Sequence, residues 1–158
     1  MSIQLTRSYD VDALNALLTH PKVYPHIADD MAAGPDDFTV GAIVDNPSVI
    51  FVAAMKHGEM LGAFMFIKTN GVTYDVHSAV HPEHRGRLTP LMAKGAVKWM
   101  FDNTDCMKVE TKVPSYNRLA KKLTEAVGLT YEGTSRMSFL KNGKLYDQLL
   151  YGITREEF

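Results

Sequence analysis

The chain has 158 residues, with 17 basic and 18 acidic side chains, a formal net charge of -1 and a single cysteine. That near-neutral balance gives no whole-chain attraction to nucleic acid or acidic membranes, and one cysteine excludes an intramolecular disulfide. The length reads as a single domain, residues 1–158, able to bury roughly 68–70% of its unfolded surface and so to hold a core without staples.

Met1–Arg7 lacks an apolar signal core, and no run reaches the roughly 18 apolar residues that a membrane span needs. The expectation is a soluble, cytoplasmic protein with neither membrane nor nucleic-acid partner. Ile3–Arg7 alternates as a short first strand. Asp10 is placed to cap a helix carrying Leu14, Leu17 and Leu18. Pro21–Ile27 predicts a turn and a short second helix, and Asp29–Thr39, rich in Asp, Gly and Pro, predicts a mobile connection.

From Ser48 onward the pattern becomes strand-like. Val49–Met55 and Met60–Lys68 are apolar runs joined at His57-Gly58, and Asn70-Gly71 is a two-residue hairpin signal leading into Val72–Val80. A helix follows over Pro90–Phe101, with Thr89 as its cap and Leu88, Leu91, Met92, Gly95, Ala96, Trp99 and Met100 on one face. Met107–Val113 is the next strand, and the strand–helix–strand unit implies a parallel pair. Pro114-Ser115 opens another helix, with Tyr116, Leu119, Ala120, Leu123 and Val127 as its buried stripe and Gly128 as its terminator. Met137–Leu140 and Leu145–Ile153 form a closing hairpin at Asn142-Gly143. The fold class is α/β: an antiparallel meander, a βαβ crossover, a helix and a C-terminal hairpin in one mixed sheet.

The segment Val80-His81-Pro82-Glu83-His84-Arg85-Gly86-Arg87-Leu88-Thr89-Pro90 lies between a strand and a helix. Backbone amides at a helix N-terminus, with arginines beside them, suit a phosphate. The segment resembles the V-x-P-x-x-R-G-x-G-x-G/A loop of the GNAT superfamily of N-acyltransferases, matching through Gly86. Asn117, Ala120 and Gly128-Leu129 match a second pattern of that superfamily. The stretch Trp99–Asn117 and the ending Tyr151–Glu157 resemble GNAT-type proteins of tailed phages.

The resemblance implies acetyl-CoA as co-substrate, held by Val80, Arg85, Gly86, Arg87, Leu88, Thr89 and Asn117. It implies transfer of the acetyl group to a primary amine by direct attack, and the pairing of domains common in the superfamily leaves a homodimer open. Asn117 is equally a helix cap. Asp75 and His77 project from one face of the third meander strand, as a proton-accepting pair or as an ordinary polar pair. Tyr24, His26, Asp29 and Asp30 fall where the superfamily places acceptor-binding elements.

His77, His81 and His84 have metal-like spacing, but Pro82 interrupts it, so no metal site is expected. Arg85, Arg87, Lys94 and Lys98 form a basic face that meets CoA phosphates or simply solvent. Cys106 reads as a small buried residue. Leu88 and Pro90 replace two loop glycines, and Thr124 stands where the superfamily has the tyrosine that protonates the departing thiolate. Those three departures support alternatives: a GNAT-like structural or interaction protein, as in phage particle assembly, or a CoA-binding module without transfer.

Overall fold

The computed structural model describes residues 2–32 and 34–158; Met1, and Ala33 within the Asp29–Thr39 connection, lie outside the described residues. Seven strands form one sheet among them: β1 (Gln4–Arg7), β2 (Val49–Lys56), β3 (Glu59–Lys68), β4 (Thr73–Val80), β5 (Lys108–Pro114), β6 (Thr130–Lys141) and β7 (Lys144–Thr154). Their spatial order is β1-β2-β3-β4-β5-β7-β6. Only β4 and β5 run parallel. The helices are α1 (Val11–Leu18), α2 (Tyr24–Ile27), α3 (Leu88–Asn103) and α4 (Arg118–Val127). This is the expected meander, crossover, helix and hairpin.

The central strands carry near-continuous apolar runs because both sheet faces are covered. On one face Val52, Phe64, Phe66 and Val109 pack with Met92, Ala96 and Met100 of α3 and with Val127 of α4. On the other, Phe51, Ala53 and Ala79 pack with Leu14 and Leu17 of α1 and with Val23 and Val40. Gly95 brings α3 close to β1: a Cβ there would stand 2.8 Å from a Leu5 methyl.

Local signals account for most element ends. Asp10 accepts from the Ala13 amide at 3.0 Å, and Gly128 closes α4 at φ 103°. Asn142-Gly143 takes positive φ at both residues, as a tight hairpin requires. Asn70-Gly71 does not. Its side chain instead accepts from the Val72 and Thr73 amides, making an Asx-type loop, and β4 begins at Thr73.

Other expectations are corrected. Helix α3 starts at Leu88, with Arg87 in the capping position, so Thr89 lies inside the first turn rather than capping it. Its buried face is Met92, Ala93, Ala96, Val97, Met100 and Phe101, while Leu91 is exposed. Tyr116 lies ahead of α4 and is exposed, as is Leu119 within it, and the buried side of α4 is Thr124 and Val127. Strand β6 begins at Thr130, well before Met137. Positive φ at Gly133 and Met137 accompanies irregular pairing, which breaks the alternation that a sequence pattern relies on.

Candidate active site

The central feature is a fork. Strands β4 and β5 pair at Thr73–Lys108, Tyr74–Val109 and Asp75–Glu110 and then part. The Thr111 hydroxyl donates to the Val76 carbonyl at 3.1 Å at the base of the fork. The Val72 carbonyl accepts from Met107 and Lys108, so the even-numbered residues of β4 direct their backbone polar groups toward β5. The next even residues are Ser78 and Val80. The Val80 carbonyl accepts from Arg85 Nε at 3.3 Å. Ser78, lying between them, turns its N–H and C=O into the opening. A cavity of about 50 Å³ occupies the fork on the α3/α4 side, lined by Phe64, Val76, Ser78, Thr111, Thr124 and neighbouring aliphatic residues.

The phosphate-type loop adjoins the open end of the fork. Gly86 sits at φ 110°, a conformation that disfavours a side chain. The Thr89 amide donates to the Gly86 carbonyl at 3.1 Å, and Pro90 has no amide proton. Among the described residues no protein acceptor is recorded for the amides of Gly86, Arg87 and Leu88. The side chain of Leu88 packs against the α3 core and leaves its amide at the helix start. Arg85 turns away from the loop's open side: besides Val80 it donates to the Lys22 carbonyl at 2.7 Å and so ties the loop to the α1–α2 segment. Arg87, Lys94 and Lys98 are exposed, and Lys98 pairs with Asp102.

On the opposite sheet face, His77 Nε2 lies 3.0 Å from Asp75 Oδ2. The other oxygen of Asp75 is buried without a recorded partner, as is the Tyr24 hydroxyl. Glu110 is the β5 partner of Asp75 in the last rung before the fork. Despite their metal-like spacing, His77, His81 and His84 do not fall into one ligand group among the described residues. Burial holds His81 below the ordinary imidazole range, although Glu83 pulls the other way. His84 instead meets Glu59 at 3.3 Å and Glu83 at 4.0 Å.

The C-terminal hairpin closes over α2. Lys141 Nζ donates to the Pro25 and Ala28 carbonyls, and the Asp30 carboxylate accepts from the Asn142 and Gly143 amides, both at 2.7 Å. Asp30 is thereby engaged within the fold, its pKa held below the usual carboxylate value by those two backbone bonds. Beneath this latch lies a cleft of about 320 Å³ lined by His26, Tyr116, Asn117, Lys141 and Tyr146 among others. Asn117 Oδ1 accepts from the Ala120 amide at 3.1 Å, so it is the α4 cap at the edge of that cleft. Cys106 is buried, and burial pushes its thiol up to about 11.

Sequence reasoning missed Ser78, Glu110 and the latch. Strand alternation sets the face of Ser78, but only the end of the β4–β5 pairing marks it out. Nothing local could connect Lys141 with Pro25.

Residues 28–158 match the family described as Protein of unknown function (DUF2824). The SPbeta prophage-derived uncharacterized N-acetyltransferase YokL of Bacillus subtilis (strain 168) is 32% identical over 112 residues, covering 68% of this chain and 63% of that protein. The match therefore spans less than two thirds of the relative's length. Spermidine N-acetyltransferase from Vibrio cholerae, solved with CoA and spermine, superposes with a TM-score of 0.82 at 16% identity over 98% of this chain and 96% of that one. The yncA protein of Salmonella typhimurium, solved with acetyl-CoA, gives 0.77 at 15% identity over 100% and 96%. At such identities the likeness establishes the architecture. The chain belongs to the DUF2824 family and is GNAT-like, with the mixed α/β fold of the GNAT acetyltransferases.

Proposed function

We propose that the protein is an N-acetyltransferase that moves an acetyl group from acetyl-CoA to a primary amine by direct attack. The observation that carries this reading is the fork itself: an unpaired stretch of β4 opening beside a helix start with three available amides. The residues present fit the co-substrate. The amides of Gly86, Arg87 and Leu88, at the positive end of α3, would hold a pyrophosphate. The free edge at Ser78 and Val80 would pair with the amide-bearing pantetheine arm, and the Ser78 N–H would polarise the thioester carbonyl.

The base belongs on the other sheet face. Asp75 and His77 would take a proton from the acceptor's ammonium group, directly or through water, so that the neutral amine can attack. Asp75 and Glu110, adjacent there, would also favour a cationic acceptor, in keeping with the spermine bound by the Vibrio cholerae relative.

A second reading, CoA binding without transfer, is favoured by one observation. Thr124 donates its hydroxyl to the Ala120 carbonyl at 2.8 Å, so its proton is already engaged within its own helix. Thermal unfolding with and without acetyl-CoA tests cofactor binding. Saturation at about 100 times the dissociation constant adds about 2.7 kcal/mol. No shift at millimolar acetyl-CoA would overturn both readings. A shift without thiol release across a panel of amines would select the second.

A further inference from the structure

The fork cavity contains three hydroxyls, from Ser78, Thr111 and Thr124. A hydroxyl has one proton to donate. Thr111 gives its proton to the Val76 carbonyl and Thr124 to the Ala120 carbonyl. No partner is recorded for the Ser78 hydroxyl among the described residues, and the rest of the lining is apolar. The same residue turns its backbone N–H into the fork, where the proposed thioester carbonyl would lie. We infer that the Ser78 hydroxyl is the hydrogen-bond donor to the departing sulfur, the role left open by Thr124.

This rests on the proposed acetyl transfer. As the amine nitrogen bonds to the carbonyl carbon, the C–S bond breaks and its electron pair goes to sulfur. The nitrogen's proton goes to the Asp75–His77 side, and the thiolate carries the negative charge away. A thiol titrates near about 8.5, so a thiolate leaves without being protonated in the same step. An aliphatic hydroxyl keeps its own proton in that range, so Ser78 acts by donating a hydrogen bond rather than by transferring a proton. Ser78 is exposed at the fork, and its hydrogen bond to an anion is about twice as strong as one between neutral groups.

The test requires no acceptor. Dissociation constants of CoA and of desulfo-CoA are measured by calorimetry from pH 6 to pH 10, for the wild type and for Ser78→Ala, Ser78→Thr and Thr124→Ala. A donor to the thiolate lowers the pKa of the bound thiol. The CoA preference over desulfo-CoA should therefore grow by about tenfold as pH rises through the thiol's titration, corresponding to about one unit. Ser78→Ala should abolish that growth, Ser78→Thr should restore it in part, and Thr124→Ala should leave it unchanged.

If both ligands bind wild type and the ratio does not change with pH, Ser78 is not the donor while the acetyl-transfer reading stands. Equal growth in Ser78→Ala and wild type overturns the assignment in the same way. If neither ligand binds wild type, the acetyl-transfer reading falls and takes this inference with it.

Discussion

The two faces of the sheet are closed by different physics. Against α3 and α4, closure comes from side-chain packing: Phe66, Met100, Val52 and Val109 are fully buried, and Gly95 lets helix and strand approach. Against α1 and α2, a comparable core surrounds Phe51, Leu14 and Leu17, but the end nearest the candidate site is joined by a few polar groups. Packing of the first kind is cooperative and makes a rigid wall for a cofactor. A latch of a lysine, a carboxylate and four backbone groups can open locally at low cost. Stability therefore lies with the α3 wall and adaptability with the latched side.

The largest expected effect tests the wall. Phe66→Ala removes a fully buried ring and should lower stability by about 3–5 kcal/mol, read from denaturant midpoints. Next comes Gly95→Val. Its side chain would meet Leu5 within van der Waals distance, and overpacking of this kind costs about 1–3 kcal/mol. If Gly95→Val were neutral while Lys141→Ala unfolded the chain, the comparison would be reversed. Cys106 offers a check without an energy scale. With its thiol pushed up to about 11, alkylation at pH 8 should be negligible in the native state and should track global unfolding.

The same division explains what could be read from the chain. Regular strand alternation placed Asp75 and His77 on one face, and local chemistry at Asp10, Gly128 and Asn142-Gly143 gave the element ends. The buried side of α3 was less legible because it includes Ala93, Ala96 and Val97, small residues whose burial depends on how closely the helix approaches the sheet. Leu88 stands where the resembling loops carry glycine. In the fold the side chain joins the core, and only its amide faces the loop. The contacts made by Arg85 and the latch join residues far apart in sequence, so no spacing rule could reveal them.

The smallest predicted effect concerns the latch itself. Asp30 accepts two backbone hydrogen bonds that require the ionised carboxylate, and its pKa is lowered from 3.8, chiefly by Gly143, then by Asn142, with Lys141 adding to it. A carboxylate whose folded pKa is depressed contributes stability that is fully present above the unfolded pKa and lost as pH falls through the folded one. The latch should therefore be intact at neutral pH and loosen only below about 3.8. Because the group is exposed, the loosening should be local. Amide exchange at Asn142 and Gly143 should accelerate in acid beyond the intrinsic trend, while amides beside Phe66 on β3 keep their protection. Asp30→Asn keeps only one carbonyl-type oxygen, so those two amides should exchange faster already at neutral pH and lose the extra acid dependence. If both sets of amides were instead released together, the hairpin would be part of the cooperative wall, and the two faces would open as one.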